Sequence, residues 1–137
     1  VFKQTFGDPV YINNILSRNV DYYVDKAWVN FQEKHEFNPT HHHSGIYSFV
    51  IWIQIPYLSE DENKVFADIP EERKSNGRFT FTYMSPLGVI ETKKIDADKT
   101  FEGKGLLFPS MMNHSVYPFY TSDKYRISVA GNIKYKV

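Results

Sequence analysis

Cysteine is absent from this 137-residue chain. Disulfides, thiolate metal ligands and cysteine nucleophiles are therefore excluded. The absence fits a cytoplasmic protein, although secreted chains without disulfides are also common. A charge excess is missing too, because 16 Lys and Arg face 16 Asp and Glu. Nothing in that balance favours a nucleic-acid partner, which needs a basic face. Long apolar runs are also lacking. The longest, around "FVIWIQIPY", is interrupted by Gln54 and Pro56 and falls well short of the roughly 18 residues of a membrane span. The sequence shows no signal-peptide pattern, internal repeat, low-complexity tract or linker.

What the chain has in quantity is aromatic residues, with 11 Phe, 10 Tyr and 2 Trp. At 42% hydrophobic it can bury a core, and its length fits a single domain over residues 1–137. Residues 9–27, "PVYINNILSRNVDYYVDKA", place Ile12, Ile15, Leu16 and Val20 at helical spacing, which predicts a short N-terminal helical segment. From about residue 28 the period shortens. "IYSFVIWIQI" is rich in β-branched and aromatic residues and reads as a strand over 46–55. "RFTFTYM" alternates over 78–84. "GVIETKKI", "GLLF", "NHSVY" and "YRISVAGNIKYKV" add further extended segments, the last pivoting near Gly131. A polar connection over 58–77 ends on the turn signal Asn76-Gly77. It is long enough to hold local structure or to act as a lid. Helices do not alternate with the strands, so βαβ units are excluded. An all-β antiparallel sandwich or barrel over about 28–137 is expected.

The candidate chemistry lies in "NPTHHHSG". In extended backbone His41 and His43 point to one side and His42 to the other. Two imidazoles two residues apart reach one metal ion, whereas adjacent ones in a strand do not. A polar turn with solvated histidines fits the same stretch, and spacing alone leaves both readings open. His35, among charged residues, reads as solvent-facing. His114 stands between two apolar extended segments, as a satisfied core group or as a third ligand. HxH with one distant histidine makes a workable facial set. Arg126 and Ser128 share one face of the last strand. A guanidinium there suits a carboxylate, or pairs with a surface acid. Tyr47 and Tyr83 are candidates for hydrogen bonds in a pocket. Met111 and Met112 read as wall residues. Asn132 either closes the site or caps a bend at Gly131.

"HHHSG", "GLLFPSMMNHSVYP" and "YRISVAGNI", in that order, resemble a branch of the 2-oxoglutarate and iron(II)-dependent oxygenase superfamily, one made up of small phage and bacterial proteins with an HxH first motif. The likeness runs from about Trp28 to Asn132. It implies a double-stranded β-helix, or jelly roll, with Fe(II) held by His41, His43 and His114. It further implies 2-oxoglutarate gripped at its far carboxylate by Arg126, with Ser128 assisting. The usual chemistry is oxidative decarboxylation of 2-oxoglutarate coupled to hydroxylation of a C–H bond. A cytoplasmic enzyme is implied, in the host cytoplasm if phage-encoded. Its substrate, a small molecule, peptide or nucleotide, is not named by any residue, and a homo-oligomer remains open.

One departure stands out. The superfamily pattern is HxD or HxE, and here position 43 is His. Three neutral imidazoles leave the site one negative charge poorer than two imidazoles and a carboxylate. Two rivals follow: a cupin-like metal-binding jelly roll without 2-oxoglutarate chemistry, and a catalytically inactive structural or binding module.

Overall fold

A computed structural model describes residues 20–136. Among these residues, eight strands form two four-stranded sheets. Sheet A contains β1 (Asp21–Gln32), β8 (Arg126–Lys136), β3 (Tyr47–Gln54) and β6 (Gly105–Pro109), in the order β1-β8-β3-β6. Sheet B contains β2 (Asn38–His41), β7 (Asn113–Val116), β4 (Phe79–Met84) and β5 (Ile90–Ile95), in the order β2-β7-β4-β5. Every pairing is antiparallel. The chain crosses between the sheets repeatedly, so strands distant in sequence become neighbours. The all-β expectation holds for this two-sheet domain.

Alternation explains the packing. In β3, Ser48, Val50 and Trp52 are buried while Ile51 and Ile53 are exposed, as a strand with one face inward requires. Phe108 of β6 and Phe79 of β4 meet these residues from either side, with Phe79 at 6.0 Å from Trp52 and 5.9 Å from Phe108 between ring centroids. Ile55, Tyr57, Ala97 and Phe119 complete the core. Tyr57 and Phe119 stack at 4.9 Å.

The helical expectation over 9–27 is corrected where it can be compared. Asp21–Ala27 belong to β1, which pairs with β8 from Asp21↔Lys136 to Gln32↔Arg126. Tyr22, Tyr23 and Val24 favour extended backbone, and the long partner strand outweighs a local helical period. Residues 9–19 of that expectation lie outside the described residues. The pivot expected near Gly131 is also absent, since β8 runs unbroken. Gly131 answers a packing need instead: a Cβ there would come within 2.6 Å of the Lys26 carbonyl oxygen and of the Phe49 ring.

The polar connection over 58–77 holds local structure. It contains α1 (Ser59–Lys64) and a 3-10 turn at Glu71–Arg73. The Glu62 carboxylate is fully buried and accepts from Tyr120 N, Thr121 N and Thr121 Oγ1. Asn76 Nδ2 donates to the Glu62 carbonyl at 2.9 Å. The carboxylate bonds tie the connection to the segment that leads into β8, and the Asn76 bond closes it on itself.

Candidate metal centre

His41 ends β2 and stands directly opposite His114 of β7. Antiparallel neighbours on one face have close Cβ atoms, and the two rings lie 4.3 Å apart. His43 follows two residues later, beyond the end of the strand. Its ring sits 5.0 Å from both of the others. One ligand atom from each histidine lies within 4.8 Å of the other two, and no Asp or Glu among the described residues joins the cluster. Nitrogens bound to a single ion at about 2.0–2.1 Å sit roughly 3–3.4 Å apart, so an ion held by all three would draw the rings inward from this spacing. His42 is exposed, as alternation predicts.

Second partners fix the tautomers. His41 Nδ1 donates to the Pro39 carbonyl at 2.7 Å, and His114 Nδ1 donates to the Met112 carbonyl at 2.9 Å. Each Nε2 is thereby left as the lone-pair nitrogen, the arrangement found at most protein metal ligands. Burial pushes the His114 imidazole down to about 4. His43 is also lowered, first by burial and then by its histidine neighbours. Both rings are neutral at pH 7, the form a metal needs. The donor set therefore fits a divalent transition ion.

The three histidines line a cavity of about 540 Å³ whose walls come from both sheets. Trp28, Trp52, Phe79, Phe108 and Val116 supply apolar wall. Arg126 and Ser128 enter the same cavity from β8. Arg126 is 3% exposed, and among the described residues its side chain makes one hydrogen bond, from an Nη to the Gly77 carbonyl at 3.3 Å. None of the ion pairs among the described residues includes it. Burial lowers its pKa, yet a guanidinium stays charged at neutral pH. A buried cation without a counter-ion is costly, and here it faces a cavity of ligand size. Ser128 lies across from Asn30, whose Nδ2 donates to Ser128 Oγ at 3.4 Å.

The two tyrosines are placed elsewhere. Neither Tyr47 nor Tyr83 lines the cavity. The backbone turns at Gly45, with φ of 118°, so the parity of the histidines does not carry through to Tyr47. Tyr83 is 42% exposed near the tip of the β4–β5 hairpin, where its hydroxyl donates to Glu91 at 3.2 Å. Asn132 is buried in a hydrogen-bonded cluster with Ser48 and Ser110. Sequence reasoning missed Trp28, whose ring lies 5.4 Å from that of His43. Its shared parity with Asn30 in β1 was the available signal. It also missed the Gly77 carbonyl, which accepts from both Tyr57 Oη and Arg126. No local pattern announces a backbone acceptor.

Two sheets carrying a histidine cluster and a buried arginine in one cavity define the class, an oxygenase-like β domain with a histidine-rich facial motif. The family is specific: a model described as "Putative 2OG-Fe(II) oxygenase" matches residues 26–132, and the chain belongs to that family. A crystal structure of an oxidoreductase of the 2OG-Fe(II) oxygenase family from Burkholderia pseudomallei shares the fold. Its TM-score is 0.58 at 12% identity over 97% of this chain. The chain spans about half of that protein, 54% of its length. No curated protein matches. No helix among the described residues is long and apolar enough to cross a membrane.

Proposed function

We propose that this protein is a non-haem Fe(II) dioxygenase that couples oxidative decarboxylation of 2-oxoglutarate to hydroxylation of a substrate. The observation that carries the reading is Arg126, a buried cation with no ion pair among the described residues, in the cavity the three histidines line. His41 and His114 hold the metal through the Nε2 atoms that their Nδ1 bonds to backbone carbonyls leave free, and His43 supplies the third imidazole. Arg126 binds the far carboxylate of 2-oxoglutarate as a planar two-pronged donor, and Ser128 Oγ offers a further bond to the same group. Bound Fe(II) supplies the redox centre at which 2-oxoglutarate and dioxygen react. Aromatic walls exclude water around it.

His43 in place of a carboxylate changes the charge balance. Fe(II), three neutral imidazoles and dianionic 2-oxoglutarate sum to zero, so the Arg126 guanidinium leaves the site with one positive charge, where a carboxylate ligand in place of His43 would have cancelled it. In this reading the strand order β1-β8-β3-β6 against β2-β7-β4-β5 is that of a double-stranded β-helix, residues 1–137 act as one domain, and the HxH motif groups the chain with small phage and bacterial proteins that act in the cytoplasm. The same three-histidine set favours one alternative, a cupin-like metal protein that does not use 2-oxoglutarate.

Anaerobic calorimetry separates the two. Protein loaded with Fe(II) is titrated with 2-oxoglutarate, and wild type is compared with Arg126→Ala. Removing one side of a buried charge pair costs about 2–5 kcal/mol, so affinity should fall roughly 30-fold or more while metal binding is retained. Metal-loaded wild type that gives no 2-oxoglutarate binding would sink the dioxygenase reading and leave the cupin-like one.

A further inference from the structure

The three histidines are not held in the same way. His41 and His114 are cross-strand partners, so the β2–β7 ladder fixes their relative positions. His43 lies past the end of β2, where no ladder reaches it. Its backbone is held from another quarter: His43 N donates to the Ser110 carbonyl at 2.8 Å. Ser110 N in turn donates to the Ile46 carbonyl at 3.0 Å. Ser110 therefore brackets the histidine turn from both sides of Gly45.

Ser110 is itself anchored from below. It is fully buried, and its Oγ lies 3.1 Å from Ser48 Oγ. Ser48 Oγ donates to Asn132 Oδ1 at 2.8 Å. Ser48 is 1% and Asn132 7% exposed. The three residues come from β3, from β8 and from the turn after β6, so the cluster ties three separate elements at one point beneath the histidine turn. Buried polar groups lower stability unless fully bonded, and such clusters fix geometry where they occur. An apolar trio would fill this space at less cost in desolvation but would not locate the Ser110 carbonyl.

We propose that Ser48, Ser110 and Asn132 form a positioning cluster that sets His43 as the third metal ligand, with the strand ladder setting the other two. This rests on the metal site proposed above. It predicts a selective defect: loosening the cluster leaves His41 and His114 in place and releases His43. The site then passes from three histidines to two.

The test uses the full chain with Co(II) alone as probe, read by its visible absorption and by direct titration. Wild type is compared with Ser48→Ala. Thr80→Val is the control, because Thr80 and Ser115 form another buried hydroxyl pair, at 2.7 Å, whose hydrogen bond includes neither Ser110 nor any residue of the histidine turn and whose side chains lie on the opposite strand face from His114. Loss of a group that supports a ligand typically weakens metal binding on the order of 10-fold or more. Ser48→Ala should show that loss together with an altered Co(II) spectrum. Thr80→Val should keep the wild-type affinity and spectrum, even if both variants melt lower by similar amounts. Should Ser48→Ala not fold, Asn132→Ser, which keeps a polar group at the position, takes its place with the same expectation. A wild-type spectrum and affinity in the cluster variant would overturn the proposal and leave the metal site standing. Wild type that does not bind Co(II) would remove the metal site, and the proposal with it.

Discussion

Arg126 carries opposite consequences for stability and for binding. Buried and, among the described residues, bonded through its side chain to one carbonyl and in no ion pair, it destabilises the ligand-free fold, because the interior returns little of its lost hydration. Replacing it with an apolar side chain of similar length removes that cost. Arg126→Met should therefore raise the unfolding free energy of the ligand-free protein by about 1 kcal/mol or more and should abolish stabilisation by 2-oxoglutarate. Urea titration with and without 2-oxoglutarate measures both. A variant less stable than wild type would mean that the guanidinium is satisfied in the free protein. His41 and His43 were legible from alternation, since side chains two apart share a side. Spacing alone did not separate a metal pair from a solvated turn, and His114 gained its meaning only as a third partner.

Among the secondary-structure elements, the turn "HHHSG" is the most constrained. Gly45 has φ of 118°, and a Cβ there would meet the Ile133 carbonyl oxygen at 2.8 Å and Ser110 Oγ at 3.4 Å. Backbone of this kind is open to glycine and strained for other residues. Gly45→Ala should cost about 1–3 kcal/mol and weaken metal binding, because relief of the contact shifts His43. Thermal unfolding and a metal titration check the pair of effects, and unchanged metal affinity would show that the turn absorbs the strain without moving the ligand. The strands 46–55, 78–84 and 105–108 were legible to within a residue or two, because β-branched and aromatic alternation is a local property. The segment 9–27 misled over Asp21–Ala27. Its apolar period is helical, but β8 offers an eleven-residue partner strand, and pairing with a distant strand cannot be read from either segment separately.

For the domain as a unit, the buried histidine links stability to pH. His114 titrates at about 4 in the fold against 6.5 when unfolded. Between those values the unfolded chain binds a proton that the folded chain does not. Acidification therefore favours unfolding. Stability of the metal-free protein should be insensitive to this group above about pH 6.5 and fall by up to about 3 kcal/mol as pH drops to 4. Denaturant unfolding across that range, compared with His114→Gln, tests it. Equal slopes in the two proteins would exclude His114 as the source. Bound metal should flatten the decline, since it competes with the proton for the same nitrogen.

Composition and local pattern decided the all-β class, most strand positions, the exclusion of thiol chemistry and the orientation of His42 away from its neighbours. These depend on side-chain period and residue type, which the chain carries along its length. Tertiary structure decided which distant residues meet. It placed His114 opposite His41, set Arg126 in the same cavity with no ion pair among the described residues, and put the Ser48–Ser110–Asn132 cluster under the histidine turn. It moved Tyr47 and Tyr83 out of the site. Each of those outcomes rests on sheet register and on strands crossing between layers, and neither is encoded in any single stretch of residues.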